Sequence, residues 1–264
     1  MRVRTVLLAT GAAAVAAAAA YSFAIRPWWR TWGVEPDEAA GPLPGDDLVV
    51  DATVVETRGV DIAAAPDRVW PWLVQMGYDR AGWYSYDVVD MRGGSADRIV
   101  PALQELAVGD RVPTSPDTGF VVKVLDPGRA LVLYSDEEQV AAQVAEAKAA
   151  KEAGGAVRET PANLKAAVAM MPPMPGFAAS WAFVLEPRDG GRATRLVERF
   201  RVRMPAPEGP AATALGTAFG LGVFAMTRRQ LLGIRDRAER PAAPEPAAEP
   251  AATEPHPERP AEPA

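Results

Sequence analysis

Glu198 stands between Leu196 and Phe200 in the segment Arg192 to Met204, where Leu196, Phe200 and Val202 alternate with Arg195, Arg199, Arg201 and Arg203. Strand alternation puts this carboxylate on the otherwise apolar face. A carboxylate there needs a partner; without one, burial raises its pKa and makes it a proton donor or a polar anchor inside a cavity. The competing reading is a bulge or strand end that returns it to solvent. A second group lies in the loop Arg80 to Asp87, where Trp83, Tyr84 and Tyr86 offer apolar ring faces and two hydroxyls that could orient a ligand. The same rings could equally seal a core. Arg80 and Asp87 flank the loop, where a surface ion pair is the default.

Composition excludes other chemistries. The chain has no Cys, and its one His, His256, lies in a Pro-rich tail, so disulfides, thiolate catalysis and multi-His metal sites are not expected. No metal and no cofactor is expected. The usual proton shuttle is also missing, which leaves carboxylates, Lys or Tyr for acid and base work. The net charge is -6, but the tail from Glu239 to Ala264 holds six Glu against Arg240 and Arg259, so the body is close to neutral. Without a Lys/Arg stripe there is no electrostatic footprint for nucleic acid.

The apolar segment Thr5 to Ile25 is uncharged, bounded by Arg2, Arg4 and Arg26, and about as long as a bilayer core of roughly 30 Å requires. Trp28, Trp29 and Trp32 follow it, as at a headgroup level. Residues 1–30 are therefore expected to be a single-pass membrane anchor with the body outside the cytoplasm; a cleaved secretory signal is the alternative. Residues 31–51, acidic and rich in Pro and Gly, read as a linker. Residues 52–239 suffice for one domain, and residues 240–264 lack the apolar side chains of a core and read as disordered.

The elements that must position Glu198 and the aromatic loop are legible from periodicity. Thr57 to Ala64 reads as a strand, and Ala65-Pro66 opens a helix with Val69, Leu73 and Met76 on one side and Pro71 inside. Strands are expected over Asp110 to Thr114, Gly119 to Val124 and Arg129 to Tyr134, the last two joined by a DPG turn. Ser180 to Glu186, with Trp181, Phe183 and Leu185 on one face, and Arg192 to Met204 complete the sheet. A long helix over Ala211 to Ala238 carries Leu215, Phe219, Val223 and Met226 at spacings of four and three. Its uncharged first part, with Gly216-x-x-x-Gly220, also has the look of a second membrane span, although sixteen residues are short for one.

VWPWLVQMGYDRAGWYSYD, ADRIVP, the paired VGDRV and MTRRQLLGIRDRAE resemble the START-like, or SRPBCC, superfamily, and more narrowly actinobacterial members labelled polyketide cyclase/dehydrase-like. The likeness runs from about Trp32 to Glu239. It implies an α+β helix-grip fold, a curved antiparallel sheet around a long C-terminal helix with an apolar cavity between them. On that pattern Arg80, Trp83, Tyr84, Tyr86, Trp181, Phe183, Glu198, Phe200 and Phe219 would line the cavity. The chain departs from the pattern in its long segment 136–174, in Ala81 where a glycine is common, and in Trp83 where Phe is frequent. That segment holds a Glu/Lys/Ala helix, roughly Glu137 to Ala153, and MMPPMPGF, which reads as a surface excursion or a pliable lid. The expected function is a membrane-tethered binding module for a hydrophobic small molecule, lipid or polyketide-like. The alternatives are a cyclase/dehydrase-like enzyme using Glu198 or a Tyr, and a scaffold whose interior is filled by its own side chains.

Overall fold

Six segments with period-two patterning pair into one antiparallel sheet in the order β1-β6-β5-β4-β3-β2. They are β1 Val54–Ile62, β2 Arg111–Pro113, β3 Gly119–Asp126, β4 Ala130–Asp136, β5 Ala178–Arg188 and β6 Ala193–Arg203. The structure is a computed structural model whose described residues are 21, 25–86, 94–154, 175–206 and 208–241. The expected anchor Thr5 to Ile25 lies almost wholly outside them, as do Asp87, most of MMPPMPGF and the Pro/Ala/Glu tail. The DPG turn joins β3 to β4 as expected, with Gly128 at φ 74°, a left-handed value that favours glycine. β1 pairs with the last strand, β6, its residues Val54 to Ile62 in register with Val202 to Thr194.

The helices are α1 Arg26–Arg30, α2 Pro36–Ala40, α3 Pro66–Val74, α4 Glu137–Glu152 and α5 Gly209–Ala238. α3 starts on Pro66, whose missing N–H costs nothing in a first turn. Pro71 lies inside it, past the first turn, where its missing N–H removes one i→i−4 bond. Val69, Leu73 and Met76 point inward and are buried, as their spacing predicts. α4 is capped by the Asp136 carboxylate, which accepts from the Gln139 N–H.

Two corrections concern the ends of the body. The segment Glu35 to Asp51 is a strap and not merely a spacer: it crosses the sheet face opposite Glu198. Arg195, Arg199 and Arg201, read as a wetter side, are tied into it. Arg199 donates to Asp46 Oδ2 at 2.7 Å, to the Ala39 carbonyl at 2.7 Å and to the Gly41 carbonyl at 2.8 Å. Arg195 forks onto Glu38 at 2.8 and 2.6 Å. Bidentate and charge-assisted bonds of this kind are the strong ones. Both faces of β6 are consequently buried.

The other correction is α5. Its packing stripe is not Leu215, Phe219, Val223 and Met226; Leu215 and Phe219 are 52% and 53% exposed. The buried residues are Thr227, Gln230, Leu231, Gly233, Ile234 and Ala238, all in the second half. Burial of Leu231 and Ile234 contributes roughly 1.5–3 kcal/mol apiece. Gly233 is where α5 and the aromatic loop meet, for a Cβ there would overlap the Tyr84 carbonyl oxygen. Gly to Ala inside a helix ordinarily gains about 1 kcal/mol. Here the sign should invert: Gly233→Ala should lower stability by about 1–3 kcal/mol in urea unfolding, and a gain would show that the loop does not press on the helix.

Candidate functional site

Glu198 is buried on the sheet face that packs against α3 and α5, so the bulge that would have returned it to solvent does not occur. The register explains its neighbours. Arg58 of β1 is its direct partner across one edge, and Phe183 of β5 across the other. The next row holds Glu56, Phe200 and Trp181 side by side. Arg58 is fully buried. Its Nη2 donates to Glu56, its Nε donates to the Trp29 carbonyl at 3.2 Å, and its guanidinium lies 5.5 Å from the Phe224 ring centre. Its Nη1 is 3.6 Å from Glu198 Oε2, an ion pair too long for a hydrogen bond. The other oxygen, Oε1, accepts from Trp181 Nε1 at 2.7 Å.

One cation thus faces two carboxylates in a dry place. Burial pushes Glu198 up to about 7; the charge of Arg58 opposes that shift and the charge of Glu56 adds to it. Among the described residues Arg58 Nη1 and Glu198 Oε2 have no hydrogen-bond partner, and neither does the indole N–H of Trp29. Unpartnered buried polar atoms are uncommon and costly, so two of them facing each other mark a place that a polar group could fill.

Above the pair, Trp181 stacks on Trp83 at 5.2 Å and meets Phe183, Phe120 and Phe200 at 5.0–5.9 Å. Trp181, Phe120 and Phe200 are half-buried, so this aromatic patch is a partly accessible part of that sheet face. Phe183 is core.

The aromatic loop divides. Trp83 belongs to the patch. Tyr84 is sealed in: its hydroxyl donates to the Trp72 carbonyl at 3.1 Å and accepts from Gln75 Nε2 at 3.0 Å. Burial pushes its pKa far above the usual value, so the hydroxyl stays protonated. Its backbone sits at φ 57°, a strained value for Tyr, held by the Ser95 hydroxyl, which accepts from its N–H. Tyr86 is 49% exposed and Phe219 53%, and neither reaches the cluster. Among the described residues Arg80 makes no ion pair, and Asp87 lies outside them; Arg80 donates to the carbonyls of Val74, Met76 and Leu103, closing the end of α3. Glu56, Arg58 and Trp29 are the site residues that sequence reading missed. A depression of about 570 Å³ on the other sheet face, lined by Glu35, Glu38, Glu186, Arg188 and Arg195, does not join this site.

The chain is thus a mixed α+β protein with a six-stranded antiparallel sheet and a long C-terminal helix. No family model matches it, and no curated protein does. Solved structures with a similar outline include protein Mll3558 from Rhizobium loti, at 12% identity and TM-score 0.35 over 68% of this chain and 96% of that one. Protein Ms6760 from Mycobacterium smegmatis follows at 15% and 0.34 over 70% and 90%, and MLL2253 from Mesorhizobium loti at 16% and 0.30 over 69% and 96%. These likenesses are distant.

A carboxyl whose folded pKa is raised stabilises the fold fully below its unfolded value, and that contribution is lost as pH climbs through the folded value. For Glu198 the window is from 4.5 to about 7. Glu198→Gln should therefore flatten the fall of unfolding free energy across that window. Superimposable pH profiles for the two proteins would mean that Glu198 does not titrate there.

Proposed function

We propose that the protein is a binding module for an apolar small molecule with one polar end, lipid or polyketide-like, held against the sheet face that packs on α5. The observation that carries this reading is the facing pair of unpartnered atoms, Arg58 Nη1 and Glu198 Oε2, beneath a half-exposed patch of Trp181, Phe120 and Phe200. Rings supply area for a hydrophobic body, and a small number of fixed polar groups supply orientation. A hydroxyl or carboxyl on the ligand would complete both atoms at once. The antiparallel sheet and long terminal helix agree with the helix-grip arrangement that the START-like motifs imply, and that arrangement supports a ligand between sheet and helix.

A second reading has its own support: a carboxyl titrating at about 7 is poised for acid–base work at neutral pH. Under that reading Glu198 would donate or take a proton on a ligand already oriented by the rings.

Native mass spectrometry of the full chain extracted in mild detergent should reveal a co-purified apolar adduct. In Glu198→Gln its affinity should fall about tenfold, the cost of one charge-assisted hydrogen bond. Repeated absence of any adduct from the unaltered protein would defeat the binding reading. An adduct held undiminished by Glu198→Gln, with turnover abolished, would favour the enzyme.

A further inference from the structure

The first half of α5 carries a stripe with the spacing of a core and the exposure of a surface. Leu215, Phe219, Val223 and Met226 recur at intervals of four, four and three, which sets them along one side of the helix. Leu215 and Phe219 are exposed and Val223 and Met226 only half-buried; Leu221, further round the helix, is exposed as well. One stretch of α5 is long and apolar enough to cross a membrane yet has no buried residue. A contiguous apolar face left open marks a contact surface.

α1 extends that surface. Trp28, Trp29 and Trp32 meet Phe224 at 5.5, 6.2 and 6.5 Å, and the Trp29 ring comes within 3.0 Å of where a Cβ on Gly220 would stand. Trp29 is buried, but Trp28 is 59% exposed, and so is Ile25, just before α1, by nearly half.

Charge singles out the partner. α1 and the stretch Gly209 to Met226 hold no acidic residue, although the chain as a whole carries a net charge of -6. Beside their apolar side chains stand Arg26, Arg30, Arg228 and Arg229. Arg229 lies 3.7 Å from Asp236, whereas among the described residues Arg26, Arg30 and Arg228 pair with no carboxylate. Arg228 instead lies 4.9 Å over the Trp32 ring. Leu, Phe and Trp flanked by arginines are the side chains of a surface that sits where acyl chains meet anionic headgroups. A second copy of the chain would set the unpaired arginines against their own equivalents, which like charge disfavours.

The helix lies along such a boundary and does not cross it. Gly209 to Met226 is about 27 Å long at 1.5 Å per residue, so as a span it would carry Gly209 across a hydrocarbon core of roughly 30 Å, away from the sheet. Only Met204 to Glu208 separate β6 from Gly209, and those peptide units reach about 20 Å.

We propose that α1 and the first half of α5 form a docking surface for an anionic lipid bilayer, with Leu215 and Phe219 among the upper acyl chains, Trp28 at the headgroup level, and Arg26, Arg30 and Arg228 on lipid phosphates. This gives the body a membrane contact of its own, separate from the apolar segment that precedes it.

The chain contains no cysteine, so a single introduced thiol reports its own position. Phe219→Cys carrying an environment-sensitive fluorophore, in the full chain reconstituted into vesicles of equimolar phosphatidylcholine and phosphatidylglycerol, should be quenched by a spin label near the top of the acyl chain, less by one near its end, and not by aqueous iodide. Quenching by iodide alone would leave the face in water, shielding from every quencher would give it a protein cover, a second copy included, and stronger quenching by the deep label would make α5 a span; each of these results overturns the proposal. The arginines are tested with the same probe in vesicles of phosphatidylcholine alone, where the ratio of lipid-facing to water-facing probe should fall about fivefold for each arginine deprived of a lipid anion. An unchanged ratio would overturn the assignment of an anionic surface.

Discussion

A guanidinium sealed inside the sheet is the constraint around which this molecule is arranged. A buried guanidinium needs acceptors and ring faces around it wherever the fold places it. Glu56 lies two residues earlier on the same face, Glu198 directly across the ladder, the Trp29 carbonyl above and the Phe224 ring beside it. Those partners come from β1, β6, α1 and α5, so the ends of the described chain are gathered around one charge. Two carboxylates share that cation, and the more deeply buried of them, Glu198, is the one whose protonation becomes negotiable.

The opposite sheet face follows a related logic with a different outcome. Arg195, Arg199 and Arg201 also stand in a row, but the strap laid over them supplies carboxylates and carbonyls in hydrogen-bonding geometry. That side is satisfied and structural. The face that packs on α5 keeps a donor and an acceptor, Arg58 Nη1 and Glu198 Oε2, without a hydrogen-bond partner among the described residues.

Most of the architecture was legible because strand alternation and the DPG turn are local signals. The face on which Glu198 lies was legible for the same reason, but alternation left open whether a bulge turns it out to solvent, and only the unbroken β5–β6 register decides that it is buried. Its partner was not: β1 begins at Val54, and reading the strand from Thr57 left Glu56 outside it, though Glu56 and Arg58 share the parity of Val60 and Ile62. Only the cross-strand register, a long-range fact, sets Arg58 opposite Glu198. The stripe on α5 misled because Leu215 and Phe219 have core spacing on a helix whose packed part starts a turn or more later. The strap was taken for a spacer because Pro and Gly hide its role, while the signal lay in complementarity between its acids, Glu38 and Asp46, and the arginines of β6. In the aromatic loop, residue type could not separate Trp83, which joins the patch, from Tyr84, which is locked to Gln75 and Trp72.

The account stands on Arg58 and Glu198 acting as one electrostatic unit, and a double-mutant cycle measures that directly. Unfolding free energies at pH 8, where Glu198 is charged, are needed for the unaltered protein, Arg58→Met, Glu198→Gln and the double variant. Arg58→Met should be severely destabilising because it strands two carboxylates, and the double variant should recover part of the loss, giving a coupling on the order of 1–3 kcal/mol. Strictly additive effects would contradict the account, because the two groups would then be neighbours without being partners.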